Sequence, residues 1–318
     1  MIRDIIKIDK RGWDRERWLE ERRKGIGGSE AAAIVGLNSY SSPYSVWADK
    51  LGKLDEKETS EAMRQGTDLE DYVARRFMEA TGKKVKQSGF MYRNPAYPWA
   101  LANVDRLIVG EDAGLECKTT SQLNLRKFKD GEYPANYYCQ CQHYMAVTGC
   151  KKWYLAVLIY STEFKIFEIE RDEDEIAALM DAEKRLWEHV ERRTAPDVDG
   201  SKSTTETISA IYKESSLYDD TVVDLAPVKR HLLRLDDLKE SKRRIDERIA
   251  EEENAVKDYL REAGVGETDG YRVTWKTQSR STFDHKKFLA KFPTLETEAA
   301  AYFKTSASRV FRVTKKEA

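Results

Sequence analysis

Two periodicities divide the first two hundred residues. Leu69, Val73, Phe77 and Ala80 recur with the spacing of one helical face, so a helix is expected over 60–80, stopped by Gly82. A shorter helix is expected from Pro43 to near Gly52, because proline suits the first helical turn. Gly25-Ile26-Gly27-Gly28-Ser29-Glu30 precedes the apolar run 31–35; Ser29 is expected to cap a helix there, with the glycines allowing a tight entry. From Lys84 to Thr119 the period changes, and segments 90–92, 101–109 and 114–119 read as consecutive strands. The acidic turn 110–113 joins the last two.

Further on, Pro134 opens an expected helix that runs to about Thr148 and ends at Gly149. Strands are expected at 153–160 and 164–169, then a charged helix over 172–193. Strands with helices on both sides in sequence imply an α/β fold with a central mixed sheet. The polar stretch 197–205 reads as a boundary, giving domains 1–196 and 197–318. In the second, Val228, Leu232, Leu235, Leu238, Ile245, Ile249 and Val256 mark a long helix. Lys242 and Glu252 interrupt its heptad, which favours a helical arm over a sustained coiled coil. A strand at 270–276, a helix at 284–291 and a strand at 309–314 complete a small α+β appendage.

Composition narrows the classes. With 318 residues and 40% hydrophobic content the chain can bury a core, and no apolar run has the length of a signal peptide or a membrane span. A soluble, cytoplasmic protein is expected. Charged residues make up 35%, yet the net charge is −1, so contact with nucleic acid has to be local rather than a basic coat. Cys117, Cys139, Cys141 and Cys150 lack the paired spacing of a zinc site. Cys139 and Cys141 sit two apart on an expected helix and point about 200° apart. All four are expected to be reduced thiols, and none of the scattered histidines 143, 189, 231 and 285 is assigned a role.

The candidate chemistry lies in Asp105, ten intervening residues, then Glu116-Cys117-Lys118. If Val109 pairs with Gly114, Asp105 lies opposite Lys118 with Glu116 diagonally across, and all three share one sheet face. Two carboxylates so placed repel unless a cation lies between them. Mg²⁺ suits such oxygen ligands, and the lysine can orient water or offset charge in a transition state. The competing reading is an exposed hairpin with a surface ion pair. The flanking segments Gln65-Gly66-Thr67-Asp68-Leu69-Glu70-Asp71 and Tyr137-Tyr138-Cys139-Gln140-Cys141-Gln142-His143-Tyr144 decide between them.

With these segments, residues 12–170 resemble the YqaJ-like viral recombinase family, relatives of lambda exonuclease in the PD-(D/E)xK superfamily. The resemblance rests on Gly-Gly-Ser-Glu, the Gly-x-x-x-Glu helix, the Asp and Glu-x-Lys strands and the Gln-x-Gln-x-Tyr helix, in that order. It implies a restriction-endonuclease-like core in which Asp105, Glu116 and the Cys117 carbonyl bind metal, with Glu70 completing the environment. Lys118 then serves the attacking water, and Gln140 is an active-site glutamine. Arg23 and Ser29 resemble a pocket for a 5′-phosphate, with Arg22 a competitor because the Arg-to-Ser spacing differs by one. Asn103 stands where lambda exonuclease has a serine two before its metal aspartate.

The implied function is a Mg²⁺-dependent 5′-to-3′ exonuclease (Mn²⁺ able to substitute) that acts on double-stranded DNA ends and leaves 3′ tails. A phage or prophage origin, a homotrimer and a RecT-like single-strand annealing partner are implied with it. The alternatives are another PD-(D/E)xK endonuclease, an iron–sulfur nuclease, which the central clustering of the cysteines disfavours, or a non-catalytic DNA-binding or annealing module. Outside the resemblance, Lys276, Arg280, Lys286, Lys287, Arg309, Arg312, Lys315 and Lys316 make the C-terminal region locally basic, with Trp275, Tyr302 and Phe311 interleaved. It could hold the emerging strand, dock a partner recombinase, support oligomerisation or serve as a solvated accessory fold.

Overall fold

The computed structural model describes residues 5–56, 59–213, 222–300 and 302, and divides into two compact units, Met1–Lys213 and Glu214–Ala318. In the first unit the amino-terminal elements are β1 (Ile6–Asp9), α1 (Arg15–Arg23), β2 (Ile26–Gly27), α2 (Gly28–Ile34), α3 (Pro43–Lys50) and α4 (Glu61–Thr81). Ser60 caps α4 by accepting from the Met63 amide, and Gly82 ends it in the left-handed conformation at φ 70°. Strands β3 (Val85–Gln87), β4 (Phe90–Asn94), β5 (Tyr97–Ala102), β6 (Arg106–Ile108) and β7 (Ala113–Thr120) follow. Then come α5 (Ala135–Thr148), β8 (Lys152–Ile159), β9 (Glu163–Glu170), α6 (Glu173–Glu191) and α7 (Lys202–Ile211).

The fold is of the expected α/β class, but among the described residues the strands of the first unit form two sheets rather than one. Five strands run in the order β3-β6-β7-β8-β9, with β7 and β8 parallel and the other pairs antiparallel. Four more run β1-β4-β5-β2. The strand expected over 101–109 is therefore divided. Its first part ends β5 in the four-stranded sheet, and β6 joins the five-stranded one after a break at residues 103–105.

Alternation along β7 and β8 gives the larger sheet two apolar faces. Leu115, Tyr154 and Ala156 pack against Val73, Ala74 and Phe77 of α4. On the opposite face Trp153, Leu155 and Val157 pack against Cys141, Tyr144 and Met145 of α5, and the same cluster takes in Tyr92, Ala100 and Ala102 of the smaller sheet. Helix α5 thus lies between the sheets, and Cys139 to Thr148 are buried throughout. Burial of this kind stabilises by roughly 25 cal/mol per Å² of apolar surface.

The boundary expected at 196/197 falls inside the first unit. Ser201 caps α7 through the Thr204 amide, Thr204 Oγ1 hydrogen-bonds Ser42 Oγ at 2.9 Å, and Ile208 and Ile211 pack on the cluster of Trp47, Leu186 and Val190. The division lies instead between Lys213 and Glu214.

The second unit contains α8 (Lys229–Leu260), the hairpin β10 (Val265–Thr268) and β11 (Tyr271–Thr274), α9 (His285–Lys291) and α10 (Glu296–Ala300). Its 32-residue helix has no buried residue, which agrees with an arm. The strand expected at 309–314, with Arg309, Phe311, Arg312, Lys315 and Lys316, lies outside the described residues. Among the described residues no helix is long and apolar enough to cross a membrane.

Candidate active site

The hairpin that carries the carboxylates has a register two residues away from the expected one. Leu107 pairs with Gly114 and Arg106 with Leu115, and continuing that ladder puts Asp105 across from Glu116, not Lys118. Because side chains alternate with period two, an even shift leaves the faces unchanged. Leu115 and Cys117 belong to the α4 side, whereas Glu116 and Lys118 share the other side with Leu155 and Val157, their partners in β8. Asp105 sits at the break before β6, and its Oδ2 accepts the Cys117 backbone N–H at 2.8 Å. This bond ties the end of the smaller-sheet segment to the middle of β7.

Charges meet at this point. Glu116 is 2% exposed, and its Oε1 accepts from Lys118 Nζ at 2.5 Å and from Gln140 Nε2 at 2.7 Å. Its Oε2 is buried without a hydrogen-bond partner. Burial raises Asp105 well above the usual carboxylate range; the charges of Glu116 and Glu70 add to that, while Lys118 and the Cys117 amide oppose it. Burial works against the Lys118 ammonium, but Glu116 and Asp105 outweigh it and hold its pKa above the ordinary lysine value. The Cys117 thiol is pushed up by burial and then by the same carboxylates, so the sulfur is inert and only its backbone is at the disposal of the site.

The unpartnered Glu116 Oε2 beside the strongly raised Asp105 is an arrangement able to accept a cation. The donor set is hard oxygen: Asp105, Glu116 and the carbonyl of Cys117, which fits a cation bound through two carboxylates and water. Among the described residues no cluster of three or more His, Cys, Asp or Glu side chains is assembled for a metal. Glu70 is near, but occupied: its Oε1 accepts from Arg106 Nη1 at 2.5 Å. Arg106 also reaches the Asp105 carbonyl at 2.6 Å and pairs with Asp71, so this buried guanidinium joins α4 to the Asp105 break. The residue pattern had not singled out Arg106, since nothing local marks an arginine as buried.

Gln140 lies on α5 with a partner one turn on: its Nε2 also donates to the Tyr144 hydroxyl at 2.8 Å. Tyr144 packs over Gly28, where a Cβ would come within 2.6 Å of its ring, so glycine there lets α2 and α5 approach. One position earlier, His143 is buried: Nδ1 lies 2.7 Å from Glu183 Oε1 and Nε2 2.9 Å from the Leu101 carbonyl. Cys139, Cys141 and Cys150 are free and buried.

The pocket residues Arg23 and Ser29 line one cavity of about 340 Å³, together with Arg22 and Glu30. Arg22 and Ser29 also line a second, of about 170 Å³, with Trp18, Asn103 and Tyr144. The cap of α2 is Gly27, not Ser29. Glu30 Oε2 accepts the Gly27 amide at 2.8 Å and supplies the capping acceptor, leaving the Ser29 side chain free of that task. Glu30 is buried and organises more: Lys50 Nζ lies 2.7 Å from it and Arg22 Nη2 3.1 Å, with the Arg22 guanidinium 5.4 Å above the Trp18 ring. Burial acts to raise Glu30, but the Lys50 and Arg22 cations outweigh it and hold its carboxyl below the usual range.

An α/β sandwich with an oxygen-donor carboxylate pair and a lysine on adjoining strands is the class of site that the fold and the geometry define. The YqaJ-like viral recombinase domain matches residues 17–151, and the chain belongs to that family. A Bacillus subtilis (strain 168) protein, YqaJ, which is described as uncharacterized, is 40% identical over 286 residues, covering 88% of this chain and 88% of its own. Among solved structures, the alkaline exonuclease LHK-Exo from Laribacter hongkongensis is similar with TM-score 0.47 and 20% identity, over 56% of this chain and 93% of that one. A phage-related exonuclease from Haemophilus somnus 129PT is similar with TM-score 0.41 and 13% identity, over 53% and 96%.

Proposed function

We propose that this protein is a metal-dependent deoxyribonuclease that acts on the ends of linear double-stranded DNA, removing one strand 5′-to-3′ and leaving 3′ single-stranded tails for recombination. The observation that carries the reading is the buried, unpartnered Glu116 Oε2 beside Asp105 and the cationic Lys118. A structural ion pair has no use for a second carboxylate whose charge is opposed by burial and by the first.

In this reading Asp105, Glu116 and the Cys117 carbonyl would hold Mg²⁺ or Mn²⁺, which would supply Lewis-acid polarisation of a phosphoryl oxygen and acidify a water. Lys118 orients the attacking water and offsets charge growing on the phosphoryl oxygens. Water adds to phosphorus and gives up a proton to solvent, the P–O3′ bond breaks, and the leaving oxygen takes a proton from solvent. Gln140 fixes Glu116 through Oε1 and so keeps Oε2 turned to the ligand. Glu70, steadied by Arg106, adds negative potential near the ion. The Arg22/Arg23/Ser29 cavities receive the 5′-phosphate, with Arg22 favoured because it borders both. The family description supports a recombination setting; a homotrimer and a RecT-like annealing partner are part of the same proposal, as is action in the bacterial cytoplasm.

The test is to incubate end-labelled linear and closed-circular duplex with and without Mg²⁺, for the parent and for Asp105→Ala. Loss of the linear form alone, from 5′ ends, only with metal and only in the parent, is expected. Cutting of the circle, or equal digestion by the variant, would sink this reading.

A further inference from the structure

Lys10 lies just beyond β1 and is fixed by its backbone: its N–H donates to the Gly89 carbonyl at 3.0 Å, and its own carbonyl accepts from Trp13 N–H at 3.2 Å. Its Nζ donates to Asn103 Oδ1 at 3.1 Å. An ammonium has three protons, and this neutral amide takes one. Among the described residues no carboxylate lies within ion-pair distance of it; burial holds its pKa below the ordinary lysine value, and the charges of Asp105 and Glu70 only partly offset that. Lys118 and Arg106, the other cations near Asp105 among the described residues, are engaged: Lys118 by Glu116, and Arg106 by Glu70, Asp71 and the Asp105 carbonyl.

The unused donors of Lys10 border a cavity of about 200 Å³, lined also by Glu70, Asn103, Asp105 and Arg106. That cavity shares Trp18 and Asn103 with the 170 Å³ cavity of Arg22 and Ser29. Asn103, which borders both, is also the residue that holds the Lys10 ammonium. A partly buried ammonium with unmet protons, facing open space beside a carboxylate centre, is suited to an anion brought in with the substrate. We propose that Lys10 binds a backbone phosphate of the DNA strand next to the linkage that is cut, aimed there by Asn103. The proposal deepens the nuclease reading and rests on it for the identity of the anion.

A phosphate contact has a signature that a structural role lacks: each neutralised phosphate steepens the dependence of affinity on salt. The experiment measures Kd by fluorescence anisotropy for a 5′-phosphorylated duplex with EDTA present, over a series of KCl concentrations, for the parent, Lys10→Gln and Lys10→Arg. The plot of log affinity against log salt should be shallower by about 1 for Lys10→Gln and return to the parent slope for Lys10→Arg. Should Lys10→Gln fold poorly, Lys10→Met keeps the aliphatic stem and serves the same comparison. A single neutral methylphosphonate, moved along the 5′ strand, should weaken parent binding at one linkage near the end and lose that effect in the variant. An unchanged slope, even with weaker binding, or the same sensitive linkage in both proteins, overturns the proposal. The two readings fail separately: a Lys10-dependent slope in a protein that digests nothing leaves this contact standing and removes the nuclease, whereas digestion with a Lys10-independent slope does the reverse.

Discussion

Gln140 Nε2 lies 2.7 Å from Glu116 Oε1, and the other oxygen of that carboxylate meets no protein donor. One amide, itself fixed by Tyr144, therefore selects which lone pairs of a buried glutamate remain for a ligand. Replacing Gln140 by Leu should lower the affinity for Mg²⁺ or the cleavage rate about 10- to 100-fold, in line with other supporting partners of metal ligands. A Mg²⁺ titration of initial rates reads it; an unaltered curve would show that Glu116 is held by Lys118 alone.

Asp105 carries a burden in the metal-free protein, because burial and two neighbouring carboxylates oppose its charge. Asp105→Asn keeps an oxygen for the Cys117 amide and removes that repulsion. Its melting temperature without metal should equal or exceed the parent's, the rise in melting temperature on adding Mg²⁺ should vanish, and cleavage should fall by on the order of 10²–10³-fold. Scanning calorimetry with and without Mg²⁺ checks the first two. A metal-free variant that melts well below the parent contradicts the account.

Arg106 grips Glu70 and Asp71 on α4 while donating to the carbonyl of Asp105. Lysine cannot reproduce this fork. Arg106→Lys should fold and bind duplex, yet cleave about 10-fold more slowly, with a higher Mg²⁺ requirement. Full activity at limiting Mg²⁺ would mean that Glu70 needs no support.

The buried pair His143–Glu183 predicts a pH effect on stability. Burial opposes the imidazolium, but Glu183 outweighs it and raises His143 above its ordinary value; burial raises Glu183 too, against the pull of His143. Lys50 and Glu30 act on Glu183, and Glu30 on His143. Both shifts have one sign: the folded protein holds protons more tightly. The contribution of His143 is complete below about pH 6.5 and fades as pH climbs through its raised value, and that of Glu183 fades over a lower range. Glu183→Gln should cost about 3–5 kcal/mol near neutral pH, with a smaller deficit at alkaline pH. Urea midpoints of both proteins from pH 6 to 9 measure it, and a deficit that grows with pH would reverse the sign.

Local patterns made much of this molecule legible. Leu69, Val73 and Phe77 marked α4 with its Ser60 and Gly82 ends, and Pro134 with Gly149 bracketed α5. The placing of Asp105 on the face that Glu116 and Lys118 share survived a wrong register only because the slip was even. What stayed hidden depends on distant partners. The break at residues 103–105 follows from Asp105 capping an amide on β7, twelve positions away. Gly27 replaced Ser29 as the cap because Glu30 folds back on it, an option that the Ser29 signal masked. Arg106, Lys10 and His143 look ordinary in the chain and gain meaning through Glu70, Asn103 and Glu183.

The docking of α7 on α3 carries a practical lesson for anyone trimming the protein. Ending the polypeptide after residue 196 would strip Ile208 and Ile211 from Trp47, Leu186 and Val190, and take the Thr204 donor from the hydroxyl of Ser42. Such a truncation should elute from gel filtration as aggregate, whereas one that stops after Lys213 keeps that greasy seam covered.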